Sequence, residues 1–300
     1  MRILYDKRIL DVLINCMGST HRSPAIVLRR RNLREADRIV TLYTRTHGKV
    51  AAIARGVKKP TSRLAGHLEL GTVVDLSFAE GKGDLYTVTG AQGITPMVHA
   101  SGVIDVLPVF THFLEVVDQM TQDAEPDTRL YDLLSSTLQQ LDLMVLREQS
   151  RAAALRASFD LSLLRLLGLL PELRACVSCR AELFPVENRL SFQLGGVLCP
   201  NCVDEDHESV AISVDVLKLL RYFATSEGPE MPALYIPAKT QASLFFVLDQ
   251  LFAYLLSREI ASSKFRRAVE KLHAGSSSST TPVRKKADTS VGTASMAPAV

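Results

Sequence analysis

Residues 22–63 combine a β-strand pattern with a strong concentration of positive charge. Twelve basic and two acidic side chains give this segment a formal charge of +10, whereas the whole chain carries only +3. A folded sheet with this charge would suit a polyanion, and nucleic acid is the commonest one. The basic residues are Arg22, Arg29, Arg30, Arg31, Arg34, Arg38, Arg45, Lys49, Arg55, Lys58, Lys59 and Arg63.

Short runs of alternating or β-branched residues predict five β-strands near the N-terminus. The expected strands are 24–31, 38–45, 49–54, 72–78 and 85–89. Five strands with a longer insertion between the third and fourth favour a small Greek-key barrel of the OB type, although an SH3-like barrel has the same periodicity. We therefore predict an OB-fold nucleic-acid-binding domain at residues 22–98, after an N-terminal extension of residues 1–21 with no assigned function.

After Pro96 the sequence changes to the pattern of α-helices, so the predicted fold class is α+β. The expected helices are 101–120, 127–143, 149–170, 214–224 and 240–273. In the third, apolar residues recur at spacings of three and four, which predicts one buried and one exposed face. We assign residues 99–273 to an all-α domain. Residues 274–300 lack the apolar side chains of a core and are expected to be disordered.

Four of the five cysteines form two Cys-x-x-Cys pairs, at Cys176, Cys179, Cys199 and Cys202. Two such pairs at this separation allow four thiolates to surround one Zn²⁺ as a tetrahedron. We predict one structural zinc ion in a module of residues 174–204, inserted in the helical domain. Because four thiolates fill the coordination shell, no position remains for a substrate. Paired disulfides are disfavoured because no secretory signal is present.

The sequence lacks the common catalytic signatures. There is no G-x-x-x-x-G-K-[ST] phosphate-binding loop, no H-E-x-x-H and no G-x-S-x-G. No apolar run reaches the roughly 18 residues of a membrane helix. These observations favour a cytoplasmic binding protein over an enzyme, with no membrane and no small-molecule substrate as partner.

Four blocks of the N-terminal sequence resemble the RecO family of bacterial DNA-repair proteins. They read AIVLR at 25–29, EADRIVTLYTR at 35–45, HGKV at 47–50 and ARGVKKP-x-x-R at 54–63. Downstream, the order of helices, four-cysteine module and further helices is also similar. Residues 1–20 precede the usual start of such proteins, and the C-terminal tail has no counterpart in the pattern.

The resemblance implies a recombination mediator of the RecF pathway, in the bacterial cytoplasm and associated with the nucleoid. Such proteins bind single- and double-stranded DNA and anneal complementary strands coated with single-strand-binding protein (SSB). They act with RecR to load the recombinase RecA. The resemblance also implies an OB fold, a helical domain with a zinc module, and binding of the acidic, apolar C-terminal tail of SSB by the helical domain.

OB folds bind nucleic acid across the face of strands 2 and 3, between the 1–2 and 4–5 loops. Basic side chains there would contact phosphates and give affinity without base readout. Tyr43 is the candidate for base stacking, worth ~1–3 kcal/mol, although a strand tyrosine is as often a core residue. The predicted DNA-binding residues are Arg30, Arg31, Arg34, Arg38, Tyr43, Arg55, Lys58, Lys59, Arg63 and Lys82.

Three alternatives remain open. A transcription or RNA-binding regulator that reads sequence through its zinc module would need a basic loop. Here the loop has equal numbers of basic and acidic residues: Arg180, Arg189, Glu182 and Glu187. A metal-dependent nuclease would need clustered carboxylates. A scaffold would use the basic barrel to bind an acidic protein. Salt-dependent DNA binding with little sequence preference would favour the mediator.

Overall fold

The computed structural model describes residues 19–81, 85–147, 151–225 and 234–277. The strands within these ranges are β1 (Thr20–Asn32), β2 (Arg38–Thr44), β3 (Gly48–Ala54), β4 (Val73–Ala79), β5 (Tyr86–Thr95), β6 (Asn188–Ser191), β7 (Gly196–Leu198) and β8 (Val210–Ile212). The α-helices are α1 (Leu107–Met120), α2 (Thr128–Leu146), α3 (Ala152–Leu166), α4 (Val214–Thr225), α5 (Ala238–Leu256) and α6 (Ala261–Ser277).

Strands β1–β5 form a closed barrel in the order β1-β2-β3-β5-β4. All neighbours are antiparallel except β3 and β5, which run parallel. This is the strand order of an OB fold, so the predicted α+β class with an N-terminal OB barrel is confirmed. Strand β1 begins at Thr20, earlier than expected, because residues 20–26 pair with β4. The last two residues of the expected extension therefore belong to the barrel, and residues 1–18 lie outside the described residues.

The barrel is buried on its inside and also on part of its outside. Alternate side chains such as Val40, Leu42 and Phe78 fill the interior. On the outer surface, Ile26 and Tyr43 join the core of the helical domain instead. Because strand side chains alternate between faces, burial of both sets leaves β2 without an exposed face beyond its first residue.

The turn between β2 and β3 fits closely against the chain that joins α1 to α2. Gly48 has a φ of +66°, and a Cβ atom there would lie 2.4 Å from the carbonyl carbon of Glu125. Next to it, the Lys49 ammonium donates hydrogen bonds to the carbonyl oxygens of Asp118 and Thr121, at 2.8 and 2.6 Å. Glycine is required here both by the backbone conformation and by the lack of space.

Helix α3 is the central helix of the helical domain. Residues 154–164 are all buried, including Arg156 and Asp160. The predicted one-sided stripe is therefore wrong, since neighbouring elements surround this helix on all sides. The predicted helix 240–273 is also wrong as a single element, because Ser257 adopts a left-handed conformation (φ 52°) that ends α5 before α6 begins. The backbone of residues 274–277 continues α6, and the rest of the predicted tail lies outside the described residues.

A buried cluster of charged side chains connects four helices. In α3, Asp160 lies 2.7 Å from the His112 ring of α1 and 3.4 Å from Arg156. The Arg156 guanidinium also pairs with Asp249 of α5, which lies 2.8 Å from Arg266 of α6. Burial opposes ionisation of Asp249, but the two arginines outweigh it and lower the pKa of its carboxyl. Each buried charge thus has an opposite charge beside it, as burial demands.

Replacement of Arg156 by methionine is expected to destabilise the protein by about 3–5 kcal/mol, because Asp160 and Asp249 would stay buried without their shared partner. Urea unfolding followed by circular dichroism measures this. The control is Arg267→Met, which removes a solvent-exposed pair with Glu259 and should change the free energy of unfolding far less. Equal stability of the two variants would contradict a structural role for the buried cluster.

Candidate nucleic-acid surface and metal centre

Two loops meet at one end of the barrel and bring most of the predicted DNA-binding residues together. The first residue of β2, Arg38, pairs with the last residue of β3, Ala54. Beyond this pair, the Gly56 N–H donates to a carboxylate oxygen of Asp37 at 2.8 Å. The Lys58 N–H donates to the carbonyl of Ala36 at 3.0 Å. The β1–β2 loop and the segment after β3 are therefore joined by hydrogen bonds into one surface.

Half of the twelve basic residues of the segment 22–63 form an ion pair with a carboxylate. Glu69 holds two of them, Arg30 and Arg38, which are half-buried. The other ion pairs are Arg22–Asp75, Arg29–Asp118, Arg45–Asp132 and Lys49–Asp123. The net charge of the segment therefore overstates the charge that is free to bind a ligand.

The other six basic side chains are exposed and lie on the two joined loops or at the strand ends beside them. None of them forms an ion pair with a carboxylate in the part of the chain that the structure describes. Glu35 is also exposed on this surface. We call these six residues the basic rim: Arg31, Arg34, Arg55, Lys58, Lys59 and Arg63. Such a cluster raises the local concentration of anions and suits a phosphate backbone.

The structure corrects the role predicted for Tyr43. Its side chain is only 1% exposed. Its hydroxyl accepts a hydrogen bond from the Asp127 N–H at 3.1 Å, and burial raises the pKa of the phenol. The ring is therefore a core group at the junction of the barrel and α2, and it cannot stack on a base in this structure.

The expected binding face of strands 2 and 3 is also largely closed. The outward-facing side chains of β2, Ile39, Thr41 and Tyr43, are all buried. The outer residues of β3 are half-buried. Among the described residues of the barrel, the exposed cations without a carboxylate partner lie at its end. Lys82, predicted in the β4–β5 loop, lies outside the described residues.

Sequence reasoning missed the residues that organise this surface. Glu69 lies beyond the basic segment, and only the folded chain shows that its carboxylate faces Arg30 and Arg38. Asp37 lies within the basic segment, and its carboxylate accepts a hydrogen bond from the Gly56 N–H. The contact between the β1–β2 loop and the segment after β3 was not predictable from residue spacing, because it depends on the pairing of β2 with β3.

The four predicted ligand cysteines are brought together by a small sheet. The strand order is β7-β6-β8, and Cys199 directly follows β7. A hydrogen bond from the Val177 N–H to the Val197 carbonyl, at 2.9 Å, holds the first cysteine pair beside the second. Strand β8 was not predicted. It continues the module to Ile212, which is buried.

The sulfur atoms of Cys176, Cys179, Cys199 and Cys202 lie within 4.8 Å of one another. The Cys179 and Cys199 sulfurs are 3.8 Å apart. Tetrahedral coordination with bonds of ~2.3 Å separates sulfur atoms by about 3.8 Å, so the cluster has the dimensions of a metal site. Burial raises the pKa of the Cys176 thiol, but nearby backbone N–H groups outweigh this and lower it to about 6, whereas burial raises the pKa of Cys199 and the neighbouring sulfur atoms raise that of Cys202. The four cysteines could therefore hold a metal ion.

Sequence comparison with known proteins agrees with this architecture. Residues 17–97 match the family described as Recombination protein O N terminal, and residues 104–264 match Recombination protein O C terminal. A relative from Roseiflexus sp. (strain RS-1), named DNA repair protein RecO, is 32% identical over 252 residues, which cover 84% of this chain and 87% of the relative. The protein of that name from Pelotomaculum thermopropionicum is 30% identical over 257 residues, with 85% and 97% covered.

The protein is of the class in which an OB barrel is joined to a helical domain that carries a four-cysteine module. Matches over both parts of the chain then specify the family. The chain belongs to the RecO family and is a DNA-repair protein of that family. Among the described residues, no helix is both long and apolar enough to cross a membrane.

Elemental analysis of the purified protein is expected to find one bound metal ion per chain. Cys179→Ser and Cys202→Ser should each reduce metal content, because three thiolates and a hydroxyl bind a thiophilic ion less tightly. Cys16→Ser is the matched control, since Cys16 belongs to neither Cys-x-x-Cys pair, and it should keep the ion. Full metal content in the Cys179 and Cys202 variants would contradict this assignment.

Proposed function

We propose that this protein is a mediator of homologous recombination that binds single- and double-stranded DNA and anneals complementary strands coated with SSB. With RecR, it would then help to load RecA. The observation that carries the proposal is the basic rim: six exposed cationic side chains gathered by two hydrogen-bonded loops. The family membership supports the same role.

The rim suits annealing because annealing needs strands whose charge is neutralised while their bases stay free. Arginine and lysine contacts to phosphates do both, and they carry no sequence preference. In our proposal the direct contacts come from the rim, while Arg30 and Arg38, held by Glu69, add to the local field. Lys82 is proposed to extend the surface.

We further propose that the four cysteines bind one Zn²⁺ with a structural role. Thiolate ligands favour zinc, and a complete thiolate shell leaves no site for a substrate. In this view the protein is a binding protein and not an enzyme. We place its action in the bacterial cytoplasm at the nucleoid, where its DNA and protein partners are found, with no membrane and no small-molecule substrate required.

The helical domain has a cavity that suits the proposed SSB tail. It lies between α2 and α3 and has a volume of about 400 Å³. Its lining includes Leu133 and Leu166, two arginines, Arg129 and Arg165, and one carboxylate, Asp132, which pairs with Arg45. Apolar walls would take an apolar side chain, and the guanidinium groups would favour nearby carboxylates, although Arg129 is already paired with Asp127. Arg165 is oriented by hydrogen bonds to the carbonyls of Phe223 and Ala224 at the end of α4.

The variant Lys58→Glu/Lys59→Glu is expected to lose annealing of SSB-coated strands because two phosphate contacts become repulsive. The slope of log affinity against log salt should fall by about 1.4 for single strands, since each contact contributes about 0.7. A stopped-flow annealing assay and fluorescence anisotropy across a salt series measure the two effects.

The matched control is Lys239→Glu/Lys271→Glu, which makes the same charge change at two exposed lysines of α5 and α6. It should anneal as the wild type does. Loss of annealing in both variants would show a dependence on net charge alone. Failure of the wild type to anneal coated strands would contradict the mediator role and favour a regulator or a scaffold, while cleavage of the strands would favour a nuclease.

The proposed tail site predicts that Ser136→Phe, which places a ring in the cavity between α2 and α3, weakens binding of a labelled SSB tail peptide at least tenfold. Gln139→Phe, one turn further along α2 and exposed, is the control and should bind normally. Fluorescence anisotropy gives both affinities. Normal peptide binding by Ser136→Phe would exclude this cavity as the docking site.

A further inference from the structure

A second cationic surface lies on the helical domain, between the cysteine module and α4. A groove of about 730 Å³ is lined by residues of both elements. We call it the module groove and define it by six of its residues: Arg174, Arg180, Glu182, Lys218, Arg221 and Tyr222. It holds four basic side chains and one carboxylate. The charge count along the zinc loop did not reveal it, because Lys218 and Arg221 come from α4.

The module groove is held in shape by a contact between its two walls. The Arg221 Nε–H donates a hydrogen bond of 2.8 Å to the carbonyl of Leu173, just before the first cysteine pair. The other three cations, Arg174, Arg180 and Lys218, are exposed. Arg221 thus joins α4 to the cysteine module, and the three other cations are exposed to solvent. The groove can therefore bind an anion without a change in its shape.

The ring of Tyr222 adds an aromatic surface to this groove. It is 49% exposed, and it packs edge-to-face on buried Phe223, with ring centroids 5.2 Å apart. A partly exposed aromatic ring among cationic side chains is the arrangement by which proteins bind single-stranded nucleic acid without sequence preference. A neighbouring cavity of about 480 Å³ shares Arg174 and Arg221, so the groove continues along the module and suits an elongated ligand. Its one carboxylate, Glu172, accepts hydrogen bonds from the backbone N–H groups of Arg174 and Ala175.

We propose that the module groove binds a second single strand of nucleic acid, with phosphates on its basic side chains and a base on Tyr222. This inference rests on the proposed annealing function, which requires two strands on one protein, whereas the basic rim supplies one site. An acidic peptide with an apolar anchor is less well matched, because Leu183, an apolar residue of the lining, is buried. One protein would thus hold both strands of an annealing pair.

The test counts the strands bound by the full-length protein, with its metal, using a short labelled oligothymidylate that cannot anneal to itself. Native mass spectrometry gives the stoichiometry and a fluorescence titration gives the affinities. We expect two strands on the wild type, one on Arg174→Gln/Lys218→Glu and one on Lys58→Glu/Lys59→Glu. Combining all four changes should abolish binding. Metal content and circular dichroism confirm that each variant is folded.

The matched control for the groove is Arg258→Gln/Lys239→Glu, which makes the same changes at exposed residues outside it and should bind two strands. Tyr222→Leu should keep the charges of the groove but weaken the second strand roughly tenfold, as loss of one stacking contact does. An unchanged affinity in Tyr222→Leu would overturn the role of the ring.

Wild-type stoichiometry and affinity in the groove variant would overturn the second-strand site. Loss of SSB tail binding instead of strand binding would also overturn it, and would assign the groove to a protein partner. The proposed function fails in a different way. In that case the wild type would fail to anneal SSB-coated strands, whatever number of strands the wild type and the groove variant bind.

Discussion

Burial of the outer barrel surface against the helical domain is the contact on which the other features depend. Side chains on the outer surface of the barrel, such as Ile26 and Tyr43, pack in the core of the helical domain. Each large apolar side chain buried in this way contributes about 1.5–3 kcal/mol. The same burial closes the face of β2, and the exposed barrel cations that lack a carboxylate partner among the described residues lie at the end of the barrel. The packing of the two domains therefore covers the face of β2 and leaves the end of the barrel exposed.

The buried charges of the helical core are paired between helices. Arg156 joins Asp160 of its own helix to Asp249 of α5. The carboxylate of Glu115 in α1 accepts hydrogen bonds from the first backbone N–H groups of α6, at 2.8 and 2.7 Å. Charged groups thus fix the order of the helices, while the cysteine module and α4 form a separate cationic wall on the same domain.

Much of the fold was predictable because its signals are local. The five barrel strands alternate, the turn at His47-Gly48 follows from its residues, and the cysteine spacing predicts the cluster. The break at Ser257 has no glycine or proline to signal it. The burial of Tyr43 and of Arg156 depends on partners distant in the chain. Pairing by Glu69 and the approach of α4 to the module are tertiary contacts, and no local pattern encodes them.

In the proposed mechanism, DNA contacts the end of the barrel and not the face of β2 and β3. Lysine acetylation followed by mass spectrometry tests it directly, with and without a saturating single strand. Bound DNA is expected to protect Lys58 and Lys59, while Lys239 and Lys271 react equally in both states. Equal acetylation of Lys58 and Lys59 with and without DNA would contradict the claim and remove the rim as the binding surface.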